Sequence, residues 1–119
     1  MKNISTIHSI ADWETLKQQI PSYGLLVFKF SPRCPISRSV ERDFDDWCAQ
    51  LADDTALACA KVDVVGTRDV SRHLAKELNV RHESPQAIWM TPDQQVAWHA
   101  SHRSINPNAL NTQLEKRQG

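Results

Sequence analysis

The sequence predicts an α/β domain in which helices are layered on a mixed β-sheet. Three observations carry that prediction. A compact apolar run at residues 25–30, LLVFKF, leads through a short turn into an amphipathic stretch. There Ile36, Val40, Phe44, Trp47, Cys48 and Leu51 fall on one helical stripe. A second run, residues 57–65, is rich in small and β-branched apolar side chains, as a central strand is, and precedes another helical stripe. A third run, QAIWM, is joined by the turn residues TPDQ to an apolar return segment at 96–99, which reads as a hairpin.

Each element has a local cause. A short strand is expected near Ile7. Ser9, followed three residues later by Asp12, has the pattern of a capping box and opens the first helix. Trp13, Leu16 and Ile20 make its inner stripe, and residues 21–24, PSYG, end it. After the strand at 25–30, Pro35 suits the first turn of a helix, where its missing N–H costs nothing. Asp53-Asp54-Thr55 breaks the chain before the second strand. The next stripe, Val70, Leu74, Ala75 and Leu78, is expected to be capped near Thr67. Asn106-Pro107 opens the last helix with Ile105 and Leu110 as a hydrophobic staple, and Lys116 and Arg117 suit its carboxyl end.

Composition bounds the function. At 119 residues, one domain spanning 1–119 is expected, with a single core. Fourteen basic and 14 acidic residues cancel, with no like-charge block, so no nucleic-acid or membrane-surface partner is expected. Residues 1–10 lack the apolar core of a secretory signal, and no segment is apolar enough to span a bilayer. Three cysteines in such a chain suit a reducing, cytoplasmic setting better than a disulfide scaffold. A monomer with no tightly bound cofactor is expected.

Chemistry points to Cys34, which stands between Arg33 and Pro35 where a buried strand turns into a helix. Free N–H groups and the positive end of the helix dipole favour an anion there, and so a thiolate over a thiol. Arg33 and Arg38 add positive potential if they face the sulfur. The bland reading is a small buried residue at the start of a core helix. A nucleophile fits the setting better. Cys48 lies 14 residues further along the same predicted helix, about 21 Å away at 1.5 Å per residue, whereas a disulfide needs Cα atoms within roughly 7 Å. It cannot partner Cys34 unless that helix is broken. Cys59 falls in a predicted central strand and reads as core. His99-x-x-His102 has no nearby cysteine pair, so loop histidines are the simpler reading than a metal site. Trp13, Trp47, Trp89 and Trp98 fall mostly on apolar faces.

The same residues carry a family resemblance. Lys29-Phe30-Ser31-Pro32-Arg33-Cys34-Pro35-Ile36-Ser37 is similar to the K-x-S-x-x-C-P-I-S signature of the monothiol bacilliredoxins, a bacillithiol-linked family with a thioredoxin-like fold. Residues 79–87, NVRHESPQA, resemble that family's N-V-K-H-E-S-P-Q-A segment, and Trp98 leads a segment placed where the family also carries a tryptophan. Cys48 and Cys59 are thiols the pattern does not require.

The resemblance implies a thioredoxin-like fold, with a central mixed sheet flanked by helices and a cis-proline before a carboxyl-terminal hairpin and final helix. It implies a thiol–disulfide oxidoreductase that removes bacillithiol, a small-thiol co-substrate, from mixed disulfides on client proteins. Cys34 would be the nucleophile. Ser37 stands where a dithiol redoxin has its second cysteine; it can donate a hydrogen bond to the thiolate but cannot resolve a disulfide. Bacillithiol itself or a thiol reductase would then regenerate Cys34. Pro85 would be the cis-proline, and the backbone of Ser84 would pair with substrate like an added strand. An ordinary trans proline opening an edge strand is the alternative. Pro35, His82 and Gln86 would flank the substrate, and Arg33 would meet the carboxylates of the bacillithiol malate, with surface residues as the competing reading for Arg33 and His82. Two rival functions remain at this point: a monothiol glutaredoxin-like iron–sulfur carrier, and a thioredoxin-fold adaptor without turnover.

Overall fold

The structure, a computed structural model, describes residues 3–118. Its elements are β1 (Ile4–Thr6), α1 (Ile10–Lys17), β2 (Leu25–Phe30), α2 (Pro35–Ala49), β3 (Ala58–Asp63), α3 (Arg68–Leu78), β4 (Gln86–Met90), β5 (Val96–Ser101), a 3-10 turn (His102–Ser104) and α4 (Pro107–Gln118). The five strands form one sheet in the order β1-β3-β2-β4-β5. The β1, β3 and β2 strands run parallel, while β4 lies antiparallel to β2 and β5 antiparallel to β4. This is the layered α/β domain with a mixed sheet that the sequence pattern predicts.

Central β2 is buried on both faces, which is why it reads as an almost continuous apolar run rather than an alternation. Leu26 and Phe28 face the layer of α2 and α4, packing with Phe44, Trp47, Trp89 and Leu110. Leu25 and Val27 face the layer of α1 and α3, with Trp13, Val70, Leu74 and Ile88. Phe28 and Phe44 stack with ring centres 4.6 Å apart, fixing α2 against the strand. Buried indole N–H groups all find acceptors: Trp13 donates to Glu77, Trp47 to Asn111 and Trp89 to the Tyr23 carbonyl. Gly24 enters β2 with φ +112°, and a Cβ there would collide with Met90 O and the Trp89 ring.

The caps follow the sequence signals. Ser9 Oγ accepts the Asp12 amide at 3.1 Å, and Asn106 Oδ1 accepts the Ala109 amide at 2.9 Å. Ile105 and Leu110 are both buried in the α2/α4 layer, as a staple requires. Asn79 closes α3 in the left-handed region (φ 54°), one of few residues that adopts it readily.

Four details depart from the sequence reading. Ile36 is 41% exposed, because the inward position in the first turn of α2 is taken by the next residue, Ser37, which is fully buried ahead of Val40 and Phe44. Ile20 lies beyond α1, which ends at Lys17, and joins the same layer from the turn that follows. The β3 strand stops at Asp63 because that carboxylate takes the amides of Val65 and Gly66, both at 2.9 Å, and bends the chain towards α3. The hairpin strand runs on to Ser101, since Ala100 and Ser101 keep pairing with Ala87 and Gln86.

Candidate functional site

Parallel β2 and β3 deliver their carboxyl ends to one edge of the sheet, and antiparallel β4 begins at that same edge. Cys34, the loop after β3 and the segment before β4 are therefore neighbours by topology. Cys34 is the N-cap residue of α2, extended at φ −102° and ψ 121°, with Pro35 at the first helical position. Its carbonyl accepts the Arg38 amide at 3.0 Å, so the helix ladder begins on the cysteine itself. The Ile36 and Ser37 amides have no acceptor among the described residues, which leaves two donors at the helix end beside the sulfur. Cys34 is half-buried, while Arg33 and Arg38 are both exposed.

The turn that presents the cysteine is tied from inside. Ser37 is fully buried, and its Oγ accepts the Ser31 amide at 2.9 Å. Ser31 Oγ in turn accepts the Arg33 amide at 3.3 Å, and the Ser31 carbonyl accepts the Cys34 amide at 3.4 Å. The bond that Ser37 Oγ makes is thus to the presenting loop; none to the Cys34 sulfur is formed in this state.

All three cysteines are free. The α2 helix is unbroken from Pro35 to Ala49, so the helical rise keeps Cys48 about 21 Å from Cys34. Cys48 and Cys59, which the sequence treats as two separate core residues, face one another inside the α2/α4 layer. A hydrogen bond with Cys59, followed by burial, pushes the Cys48 thiol far up from its ordinary range. It is enclosed in the core, where a substrate disulfide cannot reach it.

The opposite wall is the 81–86 segment. The Ser84–Pro85 peptide bond is cis. Neither Ser84 N–H nor its carbonyl is engaged by other backbone among the described residues, whereas the Pro85 carbonyl accepts the His102 amide at 2.9 Å. Gln86, read from the sequence as a group flanking the ligand, is only 2% exposed; its Nε2 donates to the Arg81 carbonyl at 2.8 Å and braces the loop from beneath. His82 is exposed, with Nδ1 3.3 Å from Ser71 Oγ. Desolvation and the nearby Lys29 charge hold its imidazole below the ordinary histidine value, against an opposing pull from Glu83.

Lys29 is the residue that sequence reasoning missed. A lysine at the end of a strand reads as a surface charge, yet it follows the alternation of Leu25 and Val27 into the α1/α3 layer and is fully buried opposite Gln86. Its ammonium donates to the Ser71 carbonyl at 3.3 Å and has no carboxylate partner among the described residues. Burial pulls its pKa down to about 8. Far from this edge, Glu14, His73 and Glu77 form the one described group of three possible metal donors, but Lys17 already neutralises both carboxylates. No helix among the described residues is long and apolar enough to cross a membrane.

The family model for Monothiol bacilliredoxin BrxC matches residues 5–110. The chain belongs to this family. The match covers both motifs and every strand except the first residue of β1, and it places the chain among thiol oxidoreductases. Solved structures agree on the architecture. A proposed oxidoreductase with a thioredoxin fold is 27% identical, covers 92% of each chain and superposes with a TM-score of 0.79. Fasciola hepatica thioredoxin, at 17% identity, covers 96% of this chain and 99% of its own with a TM-score of 0.74. Malassezia sympodialis thioredoxin (Mala s 13), at 14% identity, covers 100% and 94% with a TM-score of 0.74. This bacilliredoxin-family chain has the thioredoxin fold.

Proposed function

We propose that this protein removes bacillithiol from mixed disulfides on client proteins by a monothiol cycle through Cys34. The Cys34 thiolate attacks the bacillithiol sulfur of the mixed disulfide. The client sulfur leaves as a thiolate, and bacillithiol remains disulfide-bonded to Cys34. A second bacillithiol thiolate, or the thiol of a reductase, then attacks this adduct and releases Cys34 with a disulfide of the attacking thiol. No net oxidation of the client occurs, and the two electrons come from the regenerating thiols.

One observation carries this reading: Cys34 is the accessible thiol at a helix amino end, while Cys48 and Cys59 are enclosed in the core. The Ile36 and Ser37 amides at that helix end, unpaired among the described residues, are donors available to the sulfur during exchange. The free N–H and carbonyl of Ser84 suit strand-like pairing with a client backbone. Arg33, exposed beside the sulfur, suits the malate carboxylates of bacillithiol. Pro35 and His82 stand at the rim, and Ser37 holds the loop from inside. Reducing, cytoplasmic surroundings fit such a cycle.

The test is mass spectrometry of wild type and Cys34→Ser after incubation with a bacillithiolated protein. A bacillithiol adduct on Cys34 in the wild type and none in the variant is expected. An adduct confined to Cys48 or Cys59 overturns the reading, and so does an adduct that persists when Cys34 is replaced.

A further inference from the structure

Two concavities, of about 290 and 640 Å³, meet along α3 and share Arg72 and His82. Together they carry five basic side chains: Arg68, Arg72 and Lys76 in a row on the helix, and Arg81 and His82 on the loop that follows it. Neither lining contains a carboxylate. None of the five forms an ion pair among the described residues, whereas Lys17 and Lys61 are each held by two acids. In a chain whose formal charge is zero, this segregation is a local feature rather than a general excess of base.

The groove is not purely polar. Val80 is buried at its floor, and Val65 and Ala75 are half-buried along it. Ser71, which lines the smaller concavity, is the residue whose carbonyl accepts the buried Lys29 ammonium, so a fifth cation lies behind the four of Arg68, Arg72, Lys76 and Arg81. From Arg68 to Lys76 the helical rise gives a length of about 12 Å. That matches three to four residues of extended chain at about 3.3 Å each. A nucleic-acid backbone suits it poorly, since a row about 12 Å long meets only a few phosphates, too few for the many phosphate contacts on which such binding rests. A short peptide with alternating carboxylates and apolar side chains matches both the charge and the floor.

The smaller concavity lies at the sheet edge where Cys34 stands, because Val64 and Val65, which line it, directly follow β3 and the Val64 amide donates to the Phe30 carbonyl at the end of β2. We propose that the groove docks a short acidic segment of the client polypeptide, an extended stretch with two or three carboxylates among apolar residues; the identity of that partner as a client rests on the thiol-exchange reading above. Docking there holds the client at the active edge while its disulfide reaches the sulfur.

Fluorescence anisotropy with a labelled hexapeptide, Glu-Val-Glu-Val-Glu-Gly, tests the proposal on wild type, Cys34→Ser and the double variant Arg68→Glu/Arg72→Glu. Both arginines are exposed, so the double variant keeps the fold. Wild type and Cys34→Ser are expected to bind alike. Binding should be about tenfold weaker in the double variant and for a peptide with Gln in place of Glu, and should weaken as salt rises. Equal binding of the Gln peptide, an unaffected double variant, or capture of a single-stranded oligonucleotide in preference to the peptide each overturns it. Exchange with a small neutral mixed disulfide is measured alongside: its loss in wild type sinks the redox reading and leaves the peptide result standing.

Discussion

Replacing Lys29 by Met should make the protein more stable at neutral pH, and the gain should fade on the alkaline side. The folded amine titrates at about 8, against an ordinary lysine value of 10.5. Below pH 8 both folded and unfolded chains carry the proton, and the folded state bears the full cost of a buried cation. A shift of that size corresponds to about 3 kcal/mol at 1.36 kcal/mol per pKa unit. Methionine has a similar length and no charge to desolvate, but it leaves the Ser71 carbonyl without its donor, a loss of about 1 kcal/mol. The expected net gain is thus about 2 kcal/mol, in line with the behaviour of buried charges replaced by apolar isosteres. Between pH 8 and 10.5 the unfolded wild-type chain binds a proton that the folded one does not, so wild-type stability rises with pH through that window. The Met variant lacks this rise, and the difference between the two proteins shrinks. Urea titration under reducing conditions at pH 6.5 and 9.5 reads it directly, with a midpoint about 1–2 M higher for the variant at the lower pH. A variant less stable than wild type at both pH values, or a difference that does not change with pH, would refute the reasoning.

Three further outcomes are expected. Glu77→Gln should flatten the acid limb of the stability profile: Lys17 and Trp13 outweigh desolvation and hold the Glu77 carboxyl below its ordinary value, so its contribution is present above about pH 4.5 and lost as pH falls through the lower folded value; thermal melts from pH 3 to 6 show it. Ser37→Ala leaves the Ser31 amide without its acceptor inside the loop and should cost about 1–3 kcal/mol, with slower thiol exchange at Cys34; denaturation and the rate of mixed-disulfide turnover are the two readouts. Gly24→Ala must adopt φ +112° against Met90 O and the Trp89 ring, and should lower the melting temperature by at least about 8 °C, with Ser22→Ala as a nearby exposed control.

The layered fold was legible because its signals are local. Ser9 and Asn106 cap where their side chains permit, the 25–30 run has the composition of a strand buried on both faces, and Pro35 marks the start of α2. Cys34 at the helix end follows from that local grammar alone. What stayed hidden depends on register and layer. Nothing local says that Lys29 turns inward, since lysine is almost always solvated; the pairing of β2 with β4 and the packing of α3 decide it. The meeting of Cys48 with Cys59 needs the position of α2 over β3, and the basic groove needs α3 and the 81–82 loop side by side. Ile36 misled because its spacing from Val40 suits the apolar stripe, yet the inward position of that turn belongs to its polar neighbour Ser37.

Lys29 and Gln86 are directly opposed across β2 and β4. The two sequence motifs, far apart along the chain, are therefore rungs of a single ladder, and each can be correct only if the other is in step with it. Sliding β4 by one residue would swing Gln86 and Ile88 to the wrong side of the sheet and carry the proline away from the cysteine. Selection on the thiol's surroundings and selection on strand alignment thus act on one and the same constraint.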